Sequence, residues 1–175
     1  VHNSIRCILT FQMFKMPIFV SEQYPQGLGN TDKRIRSQFD FLEIIEKLDL
    51  SCTECPQFWR RIKAHDIDTL VVCGIETHVC VNQTVHGLLE KGYGAHVVAD
   101  AVASRRTVDH ETALRKMEAS GAVGATTEMV LFELAQRAGT QSFKNIQKMV
   151  KSTRGKSKKP AGQAHPAEQT EQTPV

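Results

Sequence analysis

No stretch of this 175-residue sequence is apolar for long enough to cross a bilayer, which takes about 20 residues. Arg6 and Lys15 interrupt the apolar opening segment, and no small-residue cleavage site follows, so no signal peptide is read there. Charge of one sign is lacking too. Residues 1–150 hold equal numbers of acidic and basic side chains, which argues against a nucleic-acid groove. The net charge of +3 comes from Lys151, Arg154, Lys156, Lys158 and Lys159, set against Glu168 and Glu171. Cysteine is present but odd in number: Cys7, Cys52, Cys55, Cys73 and Cys80. Five thiols in a chain of this size argue against a closed disulfide framework and for a reducing compartment, so a cytoplasmic location is expected.

What is there suffices for one domain: 41% of the residues are hydrophobic, enough for a core. A loose helical period over residues 3–15 is broken by Pro17, and Ile18-Phe19-Val20 reads as a short buried strand. Glu22 to Asn30 is rich in turn formers and reads as a loop. Residues 37–50 are mixed, supporting either a helix or a less regular segment. Pro56 to Ala64 is a short helix with Phe58, Trp59 and Ile62 inward, and Ala95 to Ala99 is a strand followed by a loop over Asp100–Arg105. Further helices are expected over residues 107–119 and from Glu128 to Arg137, the latter capped by Thr127, with a last amphipathic stretch from Phe143 to Met149. From Lys151 onward apolar residues nearly vanish, and residues 151–175 are expected to be a disordered polar and basic tail.

The chemistry concentrates in Leu70-Val71-Val72-Cys73-Gly74-Ile75-Glu76-Thr77-His78-Val79-Cys80. A buried strand stops at Gly74, a helix starts near Thr77, and Cys80 falls in its first turns. Amides at a helix start favour a thiolate, so Cys80 is a candidate nucleophile; the alternative is a small buried hydrophobe. Cys52-Thr53-Glu54-Cys55 has metal or redox spacing, but no second pair completes a zinc site and no strand feeds the pair into a helix. A structural or incidental role is expected for it. The Asn82-Gln83-Thr84 sequon sits on a helix and is discounted. Strands alternating with helices imply parallel strands with right-handed crossovers, hence an α/β fold.

Glu22-Gln23-Tyr24-Pro25-Gln26-Gly27-Leu28-Gly29, Cys73 to Cys80, Ala99-Asp100-Ala101 with Ser104-Arg105, and Phe143 to Val150 together resemble the isochorismatase-like hydrolases, most closely the eukaryotic isochorismatase domain-containing proteins. The resemblance implies a three-layer α/β/α domain over residues 1–150 with a mostly parallel sheet. It implies a cysteine nucleophile at Cys80 and a lysine at Lys47, whose Lys-x-x-Leu-Ser setting departs from the family's Lys-x-x-Phe-Ser. It also implies a cis peptide at Ile75–Glu76, with the Glu76 and Cys80 amides binding an oxyanion. No cofactor is implied, and the zinc-ligand pattern of the nicotinamidase branch is not visible, so no metal is expected. His78 is expected to be structural or to line the pocket.

The family's aspartate closes its first, central strand in Asp-x-Gln, and nothing before residue 4 matches it. The chain opens on Val1 rather than Met, and it is expected to be N-terminally incomplete. Three readings follow: a small-molecule hydrolase impaired by the absent aspartate, a non-catalytic binding or scaffold protein, or a shortened gene product. The family's habit implies a homo-oligomer.

Overall fold

In the computed structural model, which describes residues 1–38 and 44–154, the alternation of apolar runs and amphipathic stretches becomes parallel strands joined by helices. In chain order these are α1 (His2–Met13), β1 (Val20–Gln23), α2 (Pro25–Leu28), α3 (Lys33–Arg36) and β2 (Ile44–Lys47). A 3₁₀ turn (Cys52–Glu54) leads to α4 (Pro56–Ala64), and β3 (Thr69–Ile75) runs into a π-helical turn (Thr77–Val81) and α5 (Asn82–Glu90). Then come β4 (Gly94–Ala103), α6 (Thr107–Ala119), β5 (Val123–Ala125), α7 (Thr127–Ala135) and α8 (Gln141–Arg154). Every strand pair is parallel, but the strands form two open sheets, β1–β2 and β3–β4–β5.

The larger sheet is covered on both faces. Residues alternate across a strand, so Leu70 and Val72 of β3 pack with Val81, Val85 and Leu88, and with Phe58 and Ile62 of α4. Val71 and Cys73 pack instead with Cys7 of α1, Val130 and Leu131 of α7 and Ile146 of α8. This is the three-layer arrangement that the sequence predicts. Ile45 of β2 joins the first of these clusters and ties the small sheet to the large one.

Several boundaries differ from expectation. β1 starts at Val20 and runs through Glu22 and Gln23, so the turn-rich segment begins only at Tyr24. Residues 44–47, which carry no clean period, form β2. β4 continues through Asp100 to Ala103 because the β3–β4 register shifts between Val72 and Gly74, which lets the ladder resume at Gly74↔Val102. Gly74 takes φ +125°, open to glycine without strain, and makes that shift possible. The last helix begins at Gln141 and passes residue 150 to end at Arg154; the rest of the expected tail lies outside the described residues. Thr126, not Thr127, caps α7, its hydroxyl accepting from the Met129 amide at 3.4 Å.

Candidate active site

The site lies where three strands end. Gln23 closes β1, Lys47 closes β2, and Cys80 follows the end of β3 inside the π-helical turn. π-Helical turns are uncommon and recur at functional positions. The Ile75–Glu76 peptide is cis, as the resemblance implies.

The parallel register sets Gln23 directly beside Lys47, so their side chains emerge on the same face. Lys47 is only 6% exposed, a buried ammonium. Its three protons go to the Gln23 side-chain oxygen, to the Asp49 carbonyl at 3.0 Å and to the Leu50 carbonyl at 2.9 Å. The same Gln23 Oε1 accepts from the Cys80 thiol at 3.9 Å. Gln23 Nε2 donates to the Leu48 carbonyl at 2.6 Å. One amide therefore links the thiol, the ammonium and the β2 terminus. Among the described residues, no carboxylate oxygen pairs with Lys47 or accepts from Cys80.

Glu76 points its carboxylate elsewhere: Oε1 meets the Arg105 guanidinium at 2.9 Å, and Oε2 lies 3.8 Å from His78 Nε2. His78 Nδ1 shares a hydrogen bond with the Ser104 hydroxyl at 2.9 Å, and Thr77 Oγ1 with His110 Nδ1 at 2.9 Å. These bonds pin the cysteine turn to the end of β4 and to α6. Behind the site Glu22 is buried, its carboxylate accepting from the Thr31 amide at 2.7 Å and the Asn30 side chain at 3.3 Å, which closes the loop carrying Tyr24. Tyr24, Leu48 and Ile75, each one step past or at a strand end, are exposed.

The remaining thiols are placed differently. Cys7 and Cys73 hydrogen-bond each other between α1 and β3; that bond holds the Cys7 thiol below its usual range, while the same bond and burial push Cys73 far up. Burial pushes the Cys55 thiol up. Cys52 donates its amide to Thr84 Oγ1 at 3.0 Å and its thiol to Ser21 Oγ at 3.3 Å, tying β1 to α5.

With this geometry in view, the comparisons are specific. The Isochorismatase domain model matches residues 1–129. The chain belongs to the isochorismatase family. Isochorismatase family protein 1B of Dictyostelium discoideum is 39% identical over 144 residues, which is 80% of this chain and 70% of that protein. Isochorismatase domain-containing protein 2 of Xenopus laevis is 38% identical over 151 residues, 86% of this chain and 72% of that protein. Among solved structures, the MAR1 ribonuclease from Caenorhabditis elegans superposes with a TM-score of 0.80 at 32% identity, over 97% of this chain and 84% of that one.

Within this isochorismatase fold, the structure brings Lys47 and Cys80 to one amide oxygen, and Glu76 caps the turn that carries Cys80, its carbonyl accepting from the Val79 and Val81 amides. Sequence reasoning missed Gln23 as a site residue. Its signal was available: Gln23 lies at the mouth of a buried strand, but its turn-forming neighbours Tyr24 and Pro25 assign the segment to a loop.

Proposed function

We propose that this chain is built as a cysteine hydrolase of small carbonyl compounds, amides or esters. One observation carries it: a thiol at a helix start shares a single amide oxygen with a buried ammonium. In this reading the Cys80 thiolate attacks the carbonyl carbon, the C–N or C–O bond breaks, and the leaving group departs with a proton. Water then hydrolyses the thioester and restores the thiol. Lys47 supports the negative charge of the nucleophile and of the intermediate, and the main-chain N–H groups of Glu76 and Cys80 receive the oxyanion. The chemistry needs no metal or cofactor. The even charge of residues 1–150 favours a small molecule over a polynucleotide.

The aspartate implied by the family has no counterpart among the described residues. General acid–base catalysis is worth about a hundred- to ten-thousand-fold, so with no carboxylate to take the Cys80 proton or to activate water against the thioester, turnover is expected to be slower by about that margin. The chain, incubated with activated esters and primary amides and read by intact mass, is expected to accumulate an acyl adduct at Cys80 that Cys80→Ala abolishes. Absence of any adduct would overturn the nucleophile. Turnover at ordinary enzymatic rates would overturn the impairment.

A non-catalytic reading is favoured by one further observation: all three protons of Lys47 are held by neutral oxygens, as in a resting polar core. Saturable ligand binding without an adduct is its signature. The octameric hydrolase YcaC of Escherichia coli shares the fold at 19% identity and a TM-score of 0.76, and we propose a homo-oligomer here, measurable by light scattering.

A further inference from the structure

We infer that Gln23 is a positioning residue that keeps the Lys47 ammonium engaged with oxygen rather than with the Cys80 sulfur and so restrains the reactivity of that thiol at rest. This rests on Cys80 being the nucleophile and concerns how its charge state is set. The bond from Gln23 Nε2 to the Leu48 carbonyl, at 2.6 Å, fixes which way the amide faces. A flip would set Oε1 against a carbonyl oxygen and forfeit that bond. Oε1 is thereby aimed at both Lys47 and Cys80. Two effects follow. An ammonium has three protons, and Gln23, Asp49 and Leu50 accept all of them, which leaves none for the sulfur. The negative end of the amide dipole also faces Sγ at 3.9 Å, which favours S–H over S⁻.

The parallel register makes the arrangement durable, since Gln23 and Lys47 are direct cross-strand partners. Lys47 stays within reach of the sulfur, because its nitrogen and the sulfur contact the same oxygen. Releasing that oxygen frees one ammonium proton for the thiolate. The other charged or titratable groups around the turn are Glu76 and His78 of its own segment, Arg105 beyond β4 and His110 of α6. Glu76 is already paired with Arg105, so Lys47 is the cation that the Gln23 oxygen controls.

The test is the rate of Cys80 alkylation by iodoacetamide in the full chain, followed by peptide mass spectrometry from about pH 6 to about pH 10. Gln23→Met keeps the length and removes the acceptor. It is expected to speed alkylation near neutrality about tenfold and to move the pH profile about one unit lower. Gln23→Glu places a full negative charge beside the sulfur while still holding Lys47. It is expected to slow alkylation by about the same factor and to move the profile the other way.

In a Lys47→Met background the gain from Gln23→Met is expected to shrink to within about twofold, because the liberated proton no longer exists. Shifts of the same sign in both Gln23 variants, or a gain from Gln23→Met that survives the loss of Lys47, would overturn the inference. Circular dichroism checks folding. Should Gln23→Met unfold, Gln23→Asn, which draws the oxygen back by one methylene, must speed alkylation for the inference to stand. The nucleophile itself is judged separately, by whether Cys80 reacts faster than Cys52 in the unsubstituted chain.

Discussion

Lys47 occupies a position that the strand period reserves for an apolar residue. Ile45 and Lys47 are the two buried positions of β2 and share a face, while Glu46 between them is exposed. Desolvating an ammonium is expensive unless its protons are met, and here three oxygens meet them. Cys80 differs from the other four cysteines in its setting, a half-buried thiol in the turn after β3 whose hydrogen bond goes to the Gln23 oxygen. Cys7 is 2% exposed, and Cys73 is held protonated by its bond to Cys7 and by burial. Cys55 is buried and pushed the same way, and Cys52 is tied to Ser21. Limited iodoacetamide treatment is therefore expected to label Cys80 first, by at least about fivefold over any other thiol. Uniform labelling, or preference for Cys52 or Cys55 on peptide mapping, would refute this. Cys80 and Lys47, which the fold brings to one amide oxygen, were candidates in the sequence, Cys80 from its strand-to-helix setting and Lys47 through the family resemblance. Gln23 was not, because what sets it beside them is a cross-strand register, and no local pattern states which strand will pair beside it.

At the scale of elements, the helices were easier to read than the strands. α4 falls where expected, Pro56–Ala64, since proline at its start and a strong apolar face leave one reading. β2 is four residues long inside a segment rich in Phe and Leu, too short for period two to emerge. β4 reads as ending at Ala99 because Asp100 looks like a loop residue. In fact its carboxylate is a joint: Oδ1 accepts from the Thr127 amide at 2.7 Å and the Thr127 hydroxyl at 2.8 Å, and Oδ2 accepts from Asn3 at 3.0 Å. Thr127 is buried, so Asp100→Ala strands two donors and is expected to cost about 2–4 kcal/mol in urea unfolding, with Asp100→Asn losing less. Gly87 of α5 is a second constraint. A Cβ there would lie 2.2 Å from Thr53 Oγ1, whose side chain is buried and bonded to Ser51. Helix propensity alone would gain about 1 kcal/mol from Gly87→Ala. The clash with the 3₁₀ turn is expected to reverse the sign and leave a net loss of about 1–2 kcal/mol. An unchanged or raised unfolding midpoint would show that the turn can yield.

Among the described residues the strands form two sheets, and the candidate site lies across the seam between them. β3–β4–β5 is packed on both faces, by α4, α5 and α6 on one side and α1, α7 and α8 on the other. Among the described residues, β1 and β2 contribute Ile45 to the first cluster and nothing to the second. A two-stranded sheet is marginal by itself, and among the described residues the side-chain hydrogen bonds given across the seam are Cys52 to Thr84 of α5 and Cys80 to Gln23. The small sheet should therefore open at lower free energy than the large one. In hydrogen exchange read by mass spectrometry, amides of residues 20–23 and 44–47 are expected to exchange at least about tenfold faster than those of residues 95–98. Exchange of both sets at one common rate would mean that the chain opens as a single unit. The difference bears on function because Gln23 and Lys47 ride on the small sheet while Cys80 rides on the large one. Each opening separates thiol from ammonium, so a molecule bound between them must slow exchange in β1 and β2 more than in β4, and alkylating Cys80 with a small neutral group should leave that gap unchanged.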